Sequence, residues 1–179
     1  MSHPTAQTQE LWVGYTSISL DNPQVGRFGV RTQFSFIILN NTEQNWLFTN
    51  LPSPNLRDGW RIKSVKLRIR TEDSPFGGID KVVIKDGERV VHEFGSPPHP
   101  LAITSFNNWQ TIPLEVPNGP RNFGFGLALS IHVNNRVDTK EDPPPPLPPV
   151  KILVAGMGVE FTRNGVTGPV LNDSALNPA

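Results

Sequence analysis

An all-β fold is what this chain predicts: an antiparallel β-sandwich of jelly-roll type with about eight or nine strands. Three observations carry that prediction. Residues 81–94 (KVVIKDGERVVHEF) place two apolar, β-branched segments on either side of Asp86-Gly87, a dipeptide that tolerates the positive φ of a tight hairpin. Residues 123–133 (FGFGLALSIHV) alternate strictly, with Phe123, Phe125, Leu127, Leu129, Ile131 and Val133 on one side. No stretch carries helical periodicity, and 19 Pro and 15 Gly punctuate the rest with turns.

Taken in order, residues 1–9 read as a flexible arm and 11–20 (LWVGYTSISL) as a strand closed by the Asp21-Asn22-Pro23 turn. In 30–39 (VRTQFSFIIL), Phe34, Phe36 and Ile38 fall in phase at period two. A short strand at 46–49 stops at Leu51-Pro52-Ser53-Pro54, which cannot continue a ladder. In 60–70, Val65, Leu67 and Ile69 share one face and Lys66, Arg68 and Arg70 the other, while Trp60 and Ile62 are out of phase. A bulge near Lys63-Ser64, or a start buried on the opposite face, would reconcile them. If Asp86-Gly87 form the hairpin loop, Lys85 faces Glu88, Val83 faces Val90 and Lys81 faces His92. Pro113 marks 109–116 as an edge or bulged strand. Residues 150–162 (VKILVAGMGVEFT) are apolar on both faces in the middle, as in a well-covered strand. The domain therefore spans 10–162, with a stiff proline-rich connector at 143–149 (PPPPLPP) and a polar tail at 163–179.

Composition narrows the function. Sixteen basic residues balance sixteen acidic ones, which argues against nucleic acid as a partner. With no Cys there is no disulfide, thiolate nucleophile or zinc-thiolate site. The opening MSHPTAQTQE lacks the apolar core of a signal peptide. No apolar run approaches the roughly 20 residues of a membrane helix. We expect a soluble protein, cytoplasmic by default, with export by another route left open.

The candidate sites are modest. Opposite the apolar row of 123–133 lie Gly124, Gly126, Ala128, Ser130 and His132, a flat face that lets a backbone, ring or sugar approach closely. The plainer reading is a surface packed under a loop or neighbouring sheet. Trp12, Trp46, Trp60 and Trp109 could form a sugar-stacking platform or close the ends of the core. Lys66, Arg68 and Arg70 could meet an anion, but suit a solvated face that pairs with acids. Glu72-Asp73 with Asp80 could contribute to a calcium site, yet calcium wants six to eight oxygens. His92 and Glu93 project to opposite faces and form no dyad. Four scattered histidines give no metal-ligand spacing, and no cofactor motif is present. Pro145-Pro146-Leu147-Pro148 resembles a ligand for proline-binding adaptors, but between strands it reads as a spacer.

The ordered set Trp12…Gly14, Trp46…Leu51-Pro52-Ser53-Pro54, Val83…Asp86-Gly87, Asn108-Trp109, Leu129-Ser130-Ile131 and Val154-Ala155-Gly156 resembles a family of small bacterial and fungal all-β proteins, a domain of unknown function. The resemblance covers about residues 11–161. Family members often carry a His after the first Trp and another before the Pro-x-Pro. Here Val13 or Gly14 and Phe48 stand in those places, so the resemblance implies the fold and transfers no active site.

The function expected from sequence is a non-catalytic binding or assembly module. It would recognise a carbohydrate or protein surface, or a second copy of itself, without cofactor or metal. The alternative is a small-molecule enzyme of cyclase or isomerase type, with His132, Glu160 or Glu72 as the first groups to test. An exposed aromatic strip favours the binder and a deep pocket with a desolvated acid or base favours the enzyme.

Overall fold

The alternating segments close into two six-stranded antiparallel sheets packed face to face. The computed structural model describes residues 6–40, 42–51, 59–72, 77–95, 103–104, 108–117, 126–135 and 148–163. In chain order the strands are β1 (Gln7–Gly14), β2 (Ser19–Leu20), β3 (Arg27–Val30), β4 (Ser35–Leu39), β5 (Gln44–Leu51) and β6 (Arg61–Glu72). They continue with β7 (Gly77–Asp86), β8 (Arg89–Phe94), β9 (Ile103–Thr104), β10 (Gln110–Glu115), β11 (Leu127–Asn135) and β12 (Val150–Arg163). The first sheet runs β10-β6-β12-β4-β3, with β1 also on β12. The second runs β2-β5-β11-β7-β8, with β9 also on β7. The chain crosses repeatedly between the sheets, as a jelly roll does. Among the described residues twelve strands stand where eight or nine were expected, because two-residue ladders such as β2 and β9 leave no periodic trace in sequence.

The long β12 organises the first sheet. It pairs with β6 along one edge; along the other, Val150–Val154 meet β4 and Gly156–Arg163 meet β1. Gln7–Gln9, placed in the N-terminal arm from sequence, are laddered onto Phe161–Arg163 and cover backbone groups that would otherwise form an open edge. The bulge expected near Lys63-Ser64 is present: Ser64 pairs with Glu160 and Ile62 with Phe161, leaving Lys63 over. That extra residue restores Ile62 to the core beside Val65, Leu67 and Ile69. β12 is covered on both faces, as its sequence implied. Val150, Ile152, Val154, Met157, Val159 and Phe161 fill the core. On the other face Trp12 lies across Gly158, where a Cβ would come within 2.7 Å of its ring.

Phe34, Phe36 and Ile38 share one face, as their period of two implied; the buried row of β4 is Ser35, Ile37 and Leu39, so that face is outward and only partly covered. The segment is apolar in both phases, and pairing with β12 decides which phase is inside. The hairpin loop is Gly87-Glu88 rather than Asp86-Gly87, with Asp86 opposite Arg89 and Lys85 opposite Val90. Gly87 alone takes the positive φ, 61°, as the first position of a type II′ turn requires. A register shift after Ile84 then sets His92 opposite Ile84 and Glu93 opposite Val83, so Lys81 reaches Glu93 at 2.9 Å instead of facing His92.

Asp86 explains the shift. Its side chain is 3% exposed and accepts hydrogen bonds from the Gly126 N–H and from Arg89, both at 3.1 Å. The Gly87 N–H in turn donates to the Gly126 carbonyl at 3.3 Å. Asp86 thus serves as a clamp between the hairpin and the start of β11, and cannot also sit in the loop. At the far end of β11, the buried Asn135 amide donates to the carbonyls of Leu39 and Pro148, tying both sheets together. Pro148 and Pro149 are the described end of the proline-rich connector; its residues 143–147, like the tail 164–179, lie outside the described residues. Replacing Asp86 by Ala removes the buried carboxylate that accepts from both the Gly126 N–H and Arg89, and is expected to lower the unfolding free energy by about 1–3 kcal/mol in urea. Arg89→Ala leaves the Gly126 N–H bond to Asp86 in place and is expected to cost less than Asp86→Ala in the same measurement.

Candidate functional site

The period of two on β11 sends Leu127, Leu129, Ile131 and Val133 inward and Ala128, Ser130 and His132 outward. Because β11 is the middle strand of its sheet, taller side chains flank that outward row on both sides. On β5, Asn50, Phe48 and Trp46 stand directly opposite Ala128, Ser130 and His132. On β7 the corresponding partners are Lys85, Val83 and Lys81. Small side chains between two taller rows make a trough that runs along the strand. It encloses about 520 Å³ over a floor of Ala128 and Ser130, between Trp46 and Phe48 on one wall and Val83 and Lys85 on the other. Phe48 is 39% exposed, a large apolar ring left open to solvent.

Asp21 borders the trough beside Trp46, and a buried amide holds it there. Asn45 donates from Nδ2 to the carbonyls of Asn22 and Val25, and its Oδ1 accepts from the N–H groups of Asn22 and Trp46. The Asp21 N–H donates to the Trp46 carbonyl at 2.9 Å. The turn read from Asp21-Asn22-Pro23 is therefore fixed against the aromatic wall.

His132 closes one end. Its ring lies 4.8 Å from the Trp46 ring, centroid to centroid, and its Nδ1 is 2.6 Å from Asp80 Oδ1. A register shift between His132 and Val133 leaves Asp80 as the unmatched residue of β7, and this bulge allows its carboxylate to meet the imidazole. Burial pushes the Asp80 carboxyl up, but His132, the backbone and the Asn134 side chain together outweigh that and hold it below its usual range.

The sequence candidates divide between places. Ser130, His132 and Trp46 are brought together in the trough. Gly126 sits at the end of β11 with φ 117° and is engaged by Asp86 and Gly87, which makes it a structural joint. Gly124 lies outside the described residues. Trp12 covers β12 on the other sheet and is 41% exposed. Trp60 packs at the core margin with the Arg163 guanidinium 5.1 Å from its ring, and Trp109 meets Phe34 at 5.9 Å. Phe48, Val83, Lys85 and Asp21 were not singled out as a site; the usable signal was that Phe48 shares the phase of Trp46 on one strand.

The remaining candidates are committed elsewhere. Lys66 is bonded to Glu10 and lies 3.3 Å from Glu160, which also takes Lys63 at 2.8 Å. Arg70 and Lys151 both meet Glu72 at 2.8 Å. The cationic stripe is thus largely neutralised on its own face. The hydrogen bond from Lys63 and the approach of Lys66 outweigh burial and hold Glu160 below the usual carboxylate range. Glu72 is taken up by two cations, and Asp73, its supposed partner in a calcium site, lies outside the described residues. Among the described residues no three His, Cys, Asp or Glu side chains converge as metal ligands. No helix there is long and apolar enough to cross a membrane.

No protein-family model matches this chain. No curated protein matches it either. Several solved structures resemble it, among them a family 29 carbohydrate-binding module complexed with cellulohexaose, at 8% identity and TM-score 0.47 over 87% of this chain and 91% of that one. Another is a module of the same family complexed with mannohexaose, at 10% identity and TM-score 0.46 over 87% and 92%. A third is described as carbohydrate-binding module family 29, at 12% identity and TM-score 0.44 over 87% and 89%. The fold assignment rests on the strand ladders themselves.

The Asp80–His132 pair gives a pH dependence of definite sign. A carboxylate held below its unfolded value contributes stability that is present above that unfolded value and is lost as pH falls through the folded one. His132→Ala is expected to move the Asp80 titration back up toward ordinary aspartate, read by carboxyl carbon NMR, and to shrink the acid-side loss of stability.

Proposed function

We propose that the protein is a non-catalytic carbohydrate-binding module that lays a neutral glycan chain along the β11 trough. The observation that carries this reading is the pair of outward rings, Trp46 and Phe48, beside a floor of only Ala128 and Ser130. A sugar has apolar C–H faces and a hydroxyl rim. The faces suit aromatic side chains, and the hydroxyls suit Asp21, Lys85, Ser130 and His132 around the trough. Residues two apart on a strand are about 6.7 Å apart by strand rise, so the two rings can serve successive sugar units. The exposed ring of Phe48 supports a binder, since it would gain most from being covered.

The enzyme alternative has less behind it. Glu160 and Glu72 are occupied by lysine and arginine partners on the other sheet. His132 and Asp80 stand at the end of a trough flanked by exposed side chains, and the Asp80 side chain is 49% exposed. That carboxylate is not the desolvated base an apolar cleft enzyme would use.

The test is calorimetric titration of the full chain with neutral oligosaccharides of glucose, mannose, xylose and galactose. Trp46→Ala and Phe48→Ala are each expected to weaken the best ligand about tenfold, or about 1.4 kcal/mol. Ser130→Phe fills the floor and is expected to abolish binding while thermal unfolding stays cooperative. Binding that survives all three substitutions, or no binding to any neutral sugar, overturns the proposal.

A further inference from the structure

A second concavity of about 280 Å³ lies on the opposite sheet, at its β3–β4 edge. The ladders define its walls. Arg27 pairs with Ile38, which pairs with Lys151, so the three side chains share the outward face. In the next row Gly29 pairs with Phe36, and the ring lies so close over the glycine that a Cβ there would come within 2.5 Å of it. Phe34 precedes Phe36 by two residues and faces the same way. Arg31 is held in the turn by its own N–H, which donates to the Phe34 carbonyl at 2.8 Å.

The charge at this edge is unbalanced. Lys63, Lys66, Arg70 and Lys151 on this sheet each meet a carboxylate. Arg27 and Arg31 are exposed, and among the described residues no side chain pairs with either guanidinium. Lys151, bonded to Glu72, lies 5.6 Å from the Phe36 ring centroid and closes the pocket on that side. Two guanidinium forks beside outward phenyl rings suit a ring with an apolar face and an attached oxyanion.

We propose that this edge pocket is a second binding site, specific for an acidic sugar unit. The sugar ring would rest on Phe34 and Phe36, with its carboxylate or sulfate held by Arg27 and Arg31. The volume falls just below the roughly 300–1,000 Å³ of small-ligand pockets, which fits one ring rather than a chain. That the ligand is a sugar rests on the carbohydrate-binding reading above; that it is an anion rests on this pocket alone.

The experiment titrates the full chain with oligogalacturonate, with a sulfated disaccharide and with the neutral counterpart of each, followed by amide NMR and calorimetry. The acidic sugars are expected to shift Arg27, Phe36 and Lys151 resonances and to bind more weakly as salt rises. The uronate and sulfate arms show which oxyanion is preferred. The Arg27→Gln/Arg31→Gln double variant is expected to lose at least tenfold in affinity for the acidic sugar, with unchanged unfolding because both side chains are exposed. Trp46→Ala is expected to leave acidic-sugar binding intact. The proposal is overturned if the neutral sugars bind this edge equally well, if the arginine variant binds as the parent does, or if polyglutamate competes as well as the acidic sugar. If neutral oligosaccharides fail everywhere but the acidic sugar binds through the arginines, the trough reading falls and this one stands. The reverse pattern removes only this one.

Discussion

The two-residue period of β11 is the constraint on which the rest of the molecule depends. A strand in the middle of a sheet must satisfy neighbours on both edges and has only two faces to offer. Here one face is aliphatic from Leu127 to Val133 and fills the core, which leaves the other free to be small. That smallness matters only because β5 and β7 hold taller side chains in register on either side. The clamp from Asp86 to Gly126 at one end and the Asn135 amide at the other hold this strand in that register. A slip by one residue would put Leu129 and Ile131 on the surface and bury His132.

Much of this was legible in the sequence, and the limits follow from where the deciding partners lie. The alternation in 127–133 is a local pattern and appears as read, and of the two readings open at Lys63-Ser64 the structure takes the bulge. The hairpin loop moved by one residue because the Asp86 carboxylate is engaged by Gly126, a backbone group 40 positions away. Phe34 and Phe36 face outward because pairing with β12, more than a hundred residues later, selects the phase of β4. The floor of the trough could be read from one strand, as Ser130 and His132 were. Its walls could not, since β5 and β7 come from distant parts of the chain and local sequence does not say which strands will flank β11.

The two sheets present different chemistry to solvent although the chain is neutral overall. On the first sheet acids and bases meet in short ion pairs around Glu160 and Glu72, while Arg27 and Arg31 stand at the β3–β4 edge without such a pair among the described residues. On the second, Lys81 is matched to Glu93 and His132 to Asp80 at one end, and the trough beyond them is lined by Trp46, Phe48, Val83, Ala128 and Ser130 with one acid, Asp21, and one base, Lys85. A net charge of zero therefore says little about the charge either face presents.

The backbone ladder on both sides of β11 has a consequence for how tightly anything on that face can be gripped. The two walls are separated by two strand spacings, about 9.5 Å, and that separation is set by rows of peptide hydrogen bonds. Neither wall can swing inward without breaking the sheet. The breadth of the trough is thus fixed by the sheet, and a chain laid along it as proposed would meet a gauge and not a closing clamp. Binding of that kind would cost little reordering on contact, and so would favour quick, reversible engagement over capture.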